Sequence, residues 1–142
     1  MSDLQNDKSE LRFVLLWHET PKNWERPSHF DLMIECDGSL ETWELVADFC
    51  EHQTSFCREL PDHRKDYLDY EGPISNDRGE VSRHDSGPAR WLTRSENHRS
   101  VELQGTRLTG HFLLNRGPVS GIWSFAKIAS DESDEGSGTE KG

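Results

Sequence analysis

The chain has 142 residues, and its 27 acidic against 16 basic side chains give a net charge of −11. This length predicts one domain. The acidic balance argues against tight, non-specific binding to long duplexes, because phosphate binding calls for a basic face. Its longest apolar run, residues 13–17, is far too short to cross a bilayer, so we expect no membrane association. The three cysteines follow no recognisable spacing, and the first ten residues are polar. Both observations favour the cytoplasm as the compartment.

Both ends of the chain are polar and poor in apolar residues, so residues 1–10 and the acidic residues 129–142 are predicted to be disordered tails. Between them, residues 11–128 are predicted to form one domain. Apolar and polar residues alternate there with period two, frequent turn residues interrupt them, and no long helical pattern occurs. These features predict an all-β fold with little helix.

The first predicted strand covers residues 11–19, and a loop with two prolines follows over residues 20–28. The second strand covers residues 29–36. Asp37 and Gly38 then form a strong hairpin signal. A third strand over residues 39–46 is therefore expected to pair with the second.

The remainder of the domain is less regular. Residues 47–62 are compatible with a short helix or an irregular crossing. Short strands are predicted over 79–85 and 89–94, separated by the turn residues Ser86, Gly87 and Pro88, and then over 99–105, 107–115 and 120–128. This spacing predicts a compact antiparallel β-barrel of about seven to eight strands. A sandwich fits the pattern almost as well.

The second strand carries a candidate metal site. Alternate side chains of a strand share a face, so His29 and Asp31 lie opposite the apolar set Phe30, Leu32 and Ile34. If the first two strands are neighbours, His18 approaches this pair. Two imidazoles and one carboxylate suit manganese, iron or zinc with open coordination positions. The alternative, a hydrogen-bonded surface pair, is commoner than a metal site.

A second polar stretch, residues 62–72, combines a histidine, two basic residues and two tyrosines. Arginine presents a planar fork of donors and lysine a point charge, so this segment has the groups that receive a phosphate. The alternative is a solvated loop with its aromatic side chains packed beneath it.

In order and spacing, these segments resemble the 3′-phosphoesterase domain family of DNA ligase D, over about residues 11–128. The resemblance begins with His18, the strand His29-Phe30-Asp31 and the Asp37-Gly38 turn. It continues through Asp62-His63, Asp66-Tyr67 and Tyr70-Glu71-Gly72. Further downstream it includes Asp85-Ser86-Gly87, Trp91, residues 103–114 and residues 123–127.

The resemblance implies a short, free-standing relative with a compact β-barrel fold. It implies a metal-dependent hydrolase of DNA repair that trims a 3′-phosphate or a 3′-ribonucleotide from nucleic-acid ends. The cofactor would be a divalent metal, usually manganese, with zinc as the alternative. DNA or DNA/RNA primer–template ends would be the partners, DNA repair proteins further ones, and a monomer the expected state.

By resemblance, His18, His29 and Asp31 would be the metal ligands. His63 would contact the scissile phosphate, and Tyr67 would lie beside it. One departure affects the chemistry: this chain has Met33 where the family carries an arginine that holds the phosphate. Arg78, in a turn near the predicted site, is our candidate for the missing cation. The other candidates are Arg58, Arg64, Lys65 and Arg83.

Two alternatives remain open. The chain is also compatible with a non-catalytic, metal-stabilised binding module on the same barrel, which the loss of the arginine favours. A non-haem iron oxygenase uses the same two-histidine, one-carboxylate set, with His84 or His111 as its distal ligand. Tryptophans are more often core residues than base-stacking platforms, although Trp24, in the loop before His29, is a possible exception.

Overall fold

The computed structural model describes residues 10–128, and the predicted tails lie outside this range apart from Glu10. Within it the chain forms nine strands and one short 3₁₀ turn, and no helix there has the length and apolar character that crossing a membrane requires. The strands are β1 (Leu11–Glu19), β2 (His29–Cys36), β3 (Ser39–Leu45), β4 (Ser55–His63), β5 (Gly72–Pro73), β6 (Glu80–Ser95), β7 (His98–Gln104), β8 (Thr109–Arg116) and β9 (Ile122–Lys127), and the 3₁₀ turn is Lys65–Leu68.

The strands form one closed antiparallel barrel. Eight of them follow the order β1-β2-β3-β4-β9-β8-β7-β6, and the pairing of β1 with β6 closes the ring. The short β5 is an extra strand beside β6. This confirms the predicted barrel and excludes a sandwich, because closure leaves no unpaired edge among the eight strands. Among the described residues the 3₁₀ turn is the only helical element.

Alternate side chains of the strands fill most of the barrel interior, and the largest of these side chains are aromatic. Trp43 packs edge-on against Trp123 with ring centroids 4.8 Å apart, and Phe112 stacks on Phe125 at 5.2 Å. The remaining interior side chains are mostly aliphatic, and they form one contiguous buried cluster with these rings. Burial of this apolar surface is the main stabilising contribution to the fold.

A second, smaller apolar cluster lies on the outer face of β1, β2, β3 and β6. It consists of Val14, Leu16, Met33, Leu40, Leu68 and Val81. The 3₁₀ turn supplies Leu68, so the segment between β4 and β6 crosses outside the barrel and covers this face. The covered face explains the uninterrupted apolar run in β1, since residues 13–16 are buried on both sides of the sheet. This outer cluster supports the candidate site described below.

The prediction of two short strands over 79–85 and 89–94 was wrong. The structure has a single strand, β6, which pairs with β1 and then, from Ala89, with β7. Gly87 does not form a turn. A Cβ atom at this position would lie 2.2 Å from the carbonyl oxygen of Gln104, so glycine allows a close approach of two backbones within an extended strand.

Residues 47–62 contain no helix: residues 47–54 are an irregular connection with turns, as one of the two alternatives predicted, whereas β4, which was not predicted, begins at Ser55 and continues to His63. The other predicted strands agree with the structure to within two residues at each end. The predicted hairpin between β2 and β3 is present, with Asp37 and Gly38 both at positive φ (52° and 86°). These angles are those of the two-residue turns that Asp-Gly favours.

Asp85 fixes the loop between β7 and β8. Its buried carboxylate accepts hydrogen bonds from four backbone N–H groups, those of Ser86 (2.9 Å), Thr106 (2.8 Å), Arg107 (2.9 Å) and Leu108 (2.7 Å). Hydrogen bonds to a buried charge are stronger than neutral ones. Hydrogen bonds to Asp85 therefore take the place of strand-to-strand hydrogen bonds where the chain leaves β7.

Candidate metal centre

The antiparallel pairing of β1 with β2 brings together two histidines and one aspartate, at the end of β1 and the start of β2. His18 and His29 are paired residues across these strands, with ring centroids 4.8 Å apart. Asp31 follows on the same face, its carboxylate 3.5 Å from Nδ1 of His18 and 3.3 Å from Nε2 of His29. One ligand atom of each residue lies within 4.8 Å of the other two. The triad has the donors and the spacing to hold one metal ion.

Backbone carbonyls fix the orientation of both imidazoles. Nε2 of His18 lies 2.8 Å from the carbonyl oxygen of Arg78, and Nδ1 of His29 lies 2.9 Å from that of Pro27. When these nitrogens donate to the carbonyls, the nitrogens facing Asp31 present lone pairs. Metal-binding histidines are held by such outer contacts.

One oxygen of the Asp31 carboxylate lacks a hydrogen-bond donor among the described residues. Its Oδ1 atom is buried and accepts no hydrogen bond from the described residues. Buried acceptors are nearly always satisfied, so an atom left alone beside two imidazole nitrogens needs an explanation. A cation between the three side chains supplies one, and the nitrogen and oxygen donors fit manganese, zinc or iron.

The charges of the triad are coupled. Burial acts against a charged His29, but its interactions with Asp31 outweigh burial and raise the pKa of this imidazole above 6.5. Burial likewise acts against a charged Asp31, but both histidines outweigh it and hold the pKa of this carboxyl below 3.8. Without a metal, a proton on His29 is therefore stabilised beside Asp31, at the position that the metal would take.

The triad opens into a cleft with a volume of about 500 Å³. The remaining predicted site residues, His63, Tyr67 and Arg78, line the same cleft. They come from the end of β4, the 3₁₀ turn and the turn before β6. The structure thus brings together the six residues that the resemblance and the turn placement predict for the site. The other lining residues are Trp24, Arg26, Met33, Leu60, Pro61, Asp62, Ile74 and Val81.

Local contacts orient each of these three side chains. His63 places its Nδ1 2.9 Å from the carbonyl oxygen of Pro61 and packs edge-on against the Tyr67 ring, with centroids 5.5 Å apart. The guanidinium of Arg78 donates to the carbonyl oxygen (2.9 Å) and the hydroxyl (3.2 Å) of Ser75. Arg78 therefore has two roles in the geometry: its side chain lines the cleft, and its backbone carbonyl holds His18.

The sequence reasoning missed Arg26. Its guanidinium pairs with Glu44 on β3, while its Nε atom is buried without a partner among the described residues. Arg26 lies in a loop, where no periodicity indicates which way a side chain points. Met33 also lines the cleft, but it is only 1% exposed and packs in the outer apolar cluster.

The alternative cations lie elsewhere. Lys65 pairs with Glu35 at 2.8 Å, Arg83 is 3.9 Å from Glu71, and neither lines the cleft. Arg58 lies 4.0 Å from Glu44, Arg64 is exposed, and neither lines the cleft. In the described part of the chain, Arg26 and Arg78 are the cationic side chains that line the cleft.

The distal ligands considered for an iron oxygenase are also outside the triad. The His84 ring packs edge-on against Phe30 at 5.1 Å, and Nε2 of His111 lies 2.5 Å from the Ser100 hydroxyl, at a different cleft. The histidine that joins His29 and Asp31 is His18.

Fold and site together define a closed antiparallel β-barrel with a candidate divalent-metal centre beside a cleft that contains cationic and titratable groups. The family model of the DNA ligase D 3′-phosphoesterase domain matches residues 18–116. The chain belongs to this family. It is also similar to the multifunctional non-homologous end joining protein LigD of Pseudomonas aeruginosa, with 27% identity over 137 residues. That alignment includes 86% of this chain and 16% of the relative, so the chain spans a small part of the relative's length.

Proposed function

We propose that the protein is a divalent-metal-dependent phosphoesterase that removes a 3′-phosphate or a 3′-ribonucleotide from nucleic-acid ends. The observation that carries this proposal is the single cleft that joins the triad of His18, His29 and Asp31 to His63, Tyr67 and Arg78. Membership of the phosphoesterase family supports it. The substrates would be DNA or DNA/RNA ends of the kind that arise in DNA repair.

The triad would hold the metal, which when bound polarises a phosphoryl oxygen and lowers the barrier to attack by water. His63 directs Nδ1 at a backbone carbonyl, which leaves Nε2 to hold or pass a proton at the phosphate. Tyr67 would donate a hydrogen bond from its phenol to the phosphate. Arg78 would contribute charge-assisted hydrogen bonds to the phosphate oxygens. We propose manganese as the metal and zinc as the alternative, because both accept this donor set.

Two features limit the substrate. The protein is strongly acidic overall, so affinity for a long duplex would be weak and recognition would be restricted to the strand end at the cleft. Met33 contributes no charge, and Arg26 is already paired with Glu44. Arg78 is therefore the side chain we propose for phosphate binding.

The decisive experiment uses end-labelled primer–template duplexes that carry a 3′-phosphate or a single 3′-ribonucleotide. Purified protein is added with manganese, with EDTA, and as the variant His29→Ala. His52→Ala, which removes an exposed histidine away from the cleft, is the matched control. We expect trimming by the wild type and by His52→Ala, with loss in EDTA and in His29→Ala. Absence of trimming in manganese and in zinc would refute the proposal for these ends.

A second candidate function is a metal-stabilised binding module without turnover. The burial of Met33 in the outer apolar cluster favours it, because that position offers the phosphate no charge. This candidate predicts that manganese raises the melting temperature while no end is trimmed. Turnover that depends on both metal and His29 would exclude it.

A further inference from the structure

Trp24 occupies an unusual position for a tryptophan. It lies in the loop between β1 and β2, is half-buried, and belongs to neither of the two apolar clusters. Its indole lines the cleft and lies 6.2 Å from the His18 ring, centroid to centroid, with the two planes inclined by 53°. This side chain is therefore not part of the core, and the loop places it beside a candidate metal ligand.

The loop that carries Trp24 is held in one conformation by its own hydrogen bonds. The Thr20 backbone N–H donates to the Ser28 hydroxyl (2.9 Å), and the Thr20 hydroxyl donates to the carbonyl oxygen of Arg26 (2.8 Å). The backbone N–H of Trp24 donates to the carbonyl oxygen of Pro21 (3.0 Å) and closes a turn. These bonds join both ends of the loop and hold the backbone from which the indole extends into the cleft.

Arg26 connects the loop to the barrel. Its guanidinium carbon lies 5.9 Å from the centroid of the Trp24 ring, and the same group pairs with Glu44 on β3. A cation at this distance attracts the negative face of an indole. Arg26 therefore acts on the position of Trp24, while Trp24 retains exposed surface toward the cleft.

We propose that Trp24 is a stacking platform for the base of the 3′-terminal nucleotide, which makes it a specificity-determining residue of the cleft. This inference rests on the proposed function, since it assumes that a nucleotide phosphate lies at the triad. The terminal base, one sugar away from that phosphate, would then lie near the indole, since the indole is 6.2 Å from the ring of His18. Stacking on an aromatic side chain accepts every base, so the platform would recognise that a terminal base is present and not which base it is.

Binding is tested separately from turnover. The probe is a 5′-fluorescent oligonucleotide whose 3′ end carries a non-hydrolysable phosphonomethyl group, with either a normal or an abasic terminal residue. Its anisotropy is measured with manganese for the wild type, Trp24→Ala, Trp24→Phe and Phe56→Ala. Phe56 is the matched control, because it is an aromatic residue 72% exposed on β4 that does not line the cleft.

We expect Trp24→Ala to weaken binding of the normal end about tenfold and to leave the abasic end unchanged. Trp24→Phe should restore most of the affinity, and Phe56→Ala should match the wild type. Equal losses on both ends, or no loss on either, would overturn the inference. Binding is measured here without cleavage. Equal affinity of the wild type for the normal and the abasic end would therefore refute the platform, whereas tighter binding of the normal end without any trimming would refute the phosphoesterase activity and leave the platform in place.

Discussion

The carboxylate of Asp31 lies 3.3 Å from Nε2 of His29, yet its Oδ1 atom accepts no hydrogen bond from any described residue. The two groups are close enough to attract when His29 is charged, and close enough to share an ion when it is not. The same place is therefore suited to either a proton or a metal ion.

Asp31→Asn should abolish the stabilisation of the protein by manganese. For the wild type we expect metal at a hundred times its Kd to add about 2.7 kcal/mol to the free energy of unfolding. The amide removes the negative charge that the ion requires, while it keeps the shape of the side chain. Melting temperature measured against manganese concentration tests this. Asp62→Asn, another acid that lines the cleft, is the control and should keep the full response.

Manganese should stabilise the protein more at about pH 8 than at about pH 6, because the metal must displace the proton that the raised pKa of His29 retains. Without metal, the free energy of unfolding itself should fall between these two pH values. The contribution of His29 to stability is complete below pH 6.5 and is lost as the pH rises through its raised pKa. That of Asp31 is present above pH 3.8 and is lost as the pH falls through its lowered pKa. Melting curves with and without manganese at both pH values check this, and a response independent of pH would contradict it.

Arg78→Ala should lower kcat/KM for 3′-end trimming by about a hundredfold and leave manganese affinity unchanged. The side chain is proposed to bind the phosphate, whereas His18 is held by the backbone carbonyl, which the substitution keeps. Single-turnover kinetics and metal titration measure the two effects. Arg64→Ala, an exposed arginine outside the cleft, should behave as the wild type. A parallel loss of metal binding would show that Arg78 has a structural role instead.

Asp85→Asn should reduce the free energy of unfolding by about 2–4 kcal/mol. The carboxylate accepts four backbone hydrogen bonds, and an amide has one oxygen with which to replace them. Urea denaturation measures the change. Asp48→Asn, at an exposed aspartate, is expected to change stability by less than about 0.5 kcal/mol. A small effect at Asp85 would mean that the loop between β7 and β8 is stable without it.

Cys57 should resist alkylation in the folded protein. It is 3% exposed, and burial raises the pKa of its thiol to about 12, so the reactive thiolate is scarce at neutral pH. Mass spectrometry after treatment with iodoacetamide should find Cys57 unmodified until urea unfolds the chain. The half-buried Cys50 provides the internal comparison. Rapid labelling of Cys57 under native conditions would contradict its place in the barrel core.

The sequence alone determined those features that depend on local chemistry. The proline-containing loop and the turn residues bounded β1 and β2, and strand geometry separated Phe30 from Asp31, because successive side chains of a strand point to opposite faces. The Asp37-Gly38 pair determined the hairpin, because these residues adopt positive φ at little cost. The ordered motifs were sufficient to indicate the family to which the chain belongs.

Tertiary structure decided everything that depends on which distant segments meet. Pairing between β1 and β6 decided closure of the barrel and turned the predicted break at Gly87 into a close contact of two backbones. Packing of Leu68 on the outer face brought the segment with His63 and Tyr67 over the triad, and the loop conformation placed Arg26 in the cleft. These contacts join residues that are far apart in the chain, so they depend on complementary surfaces that no local pattern specifies.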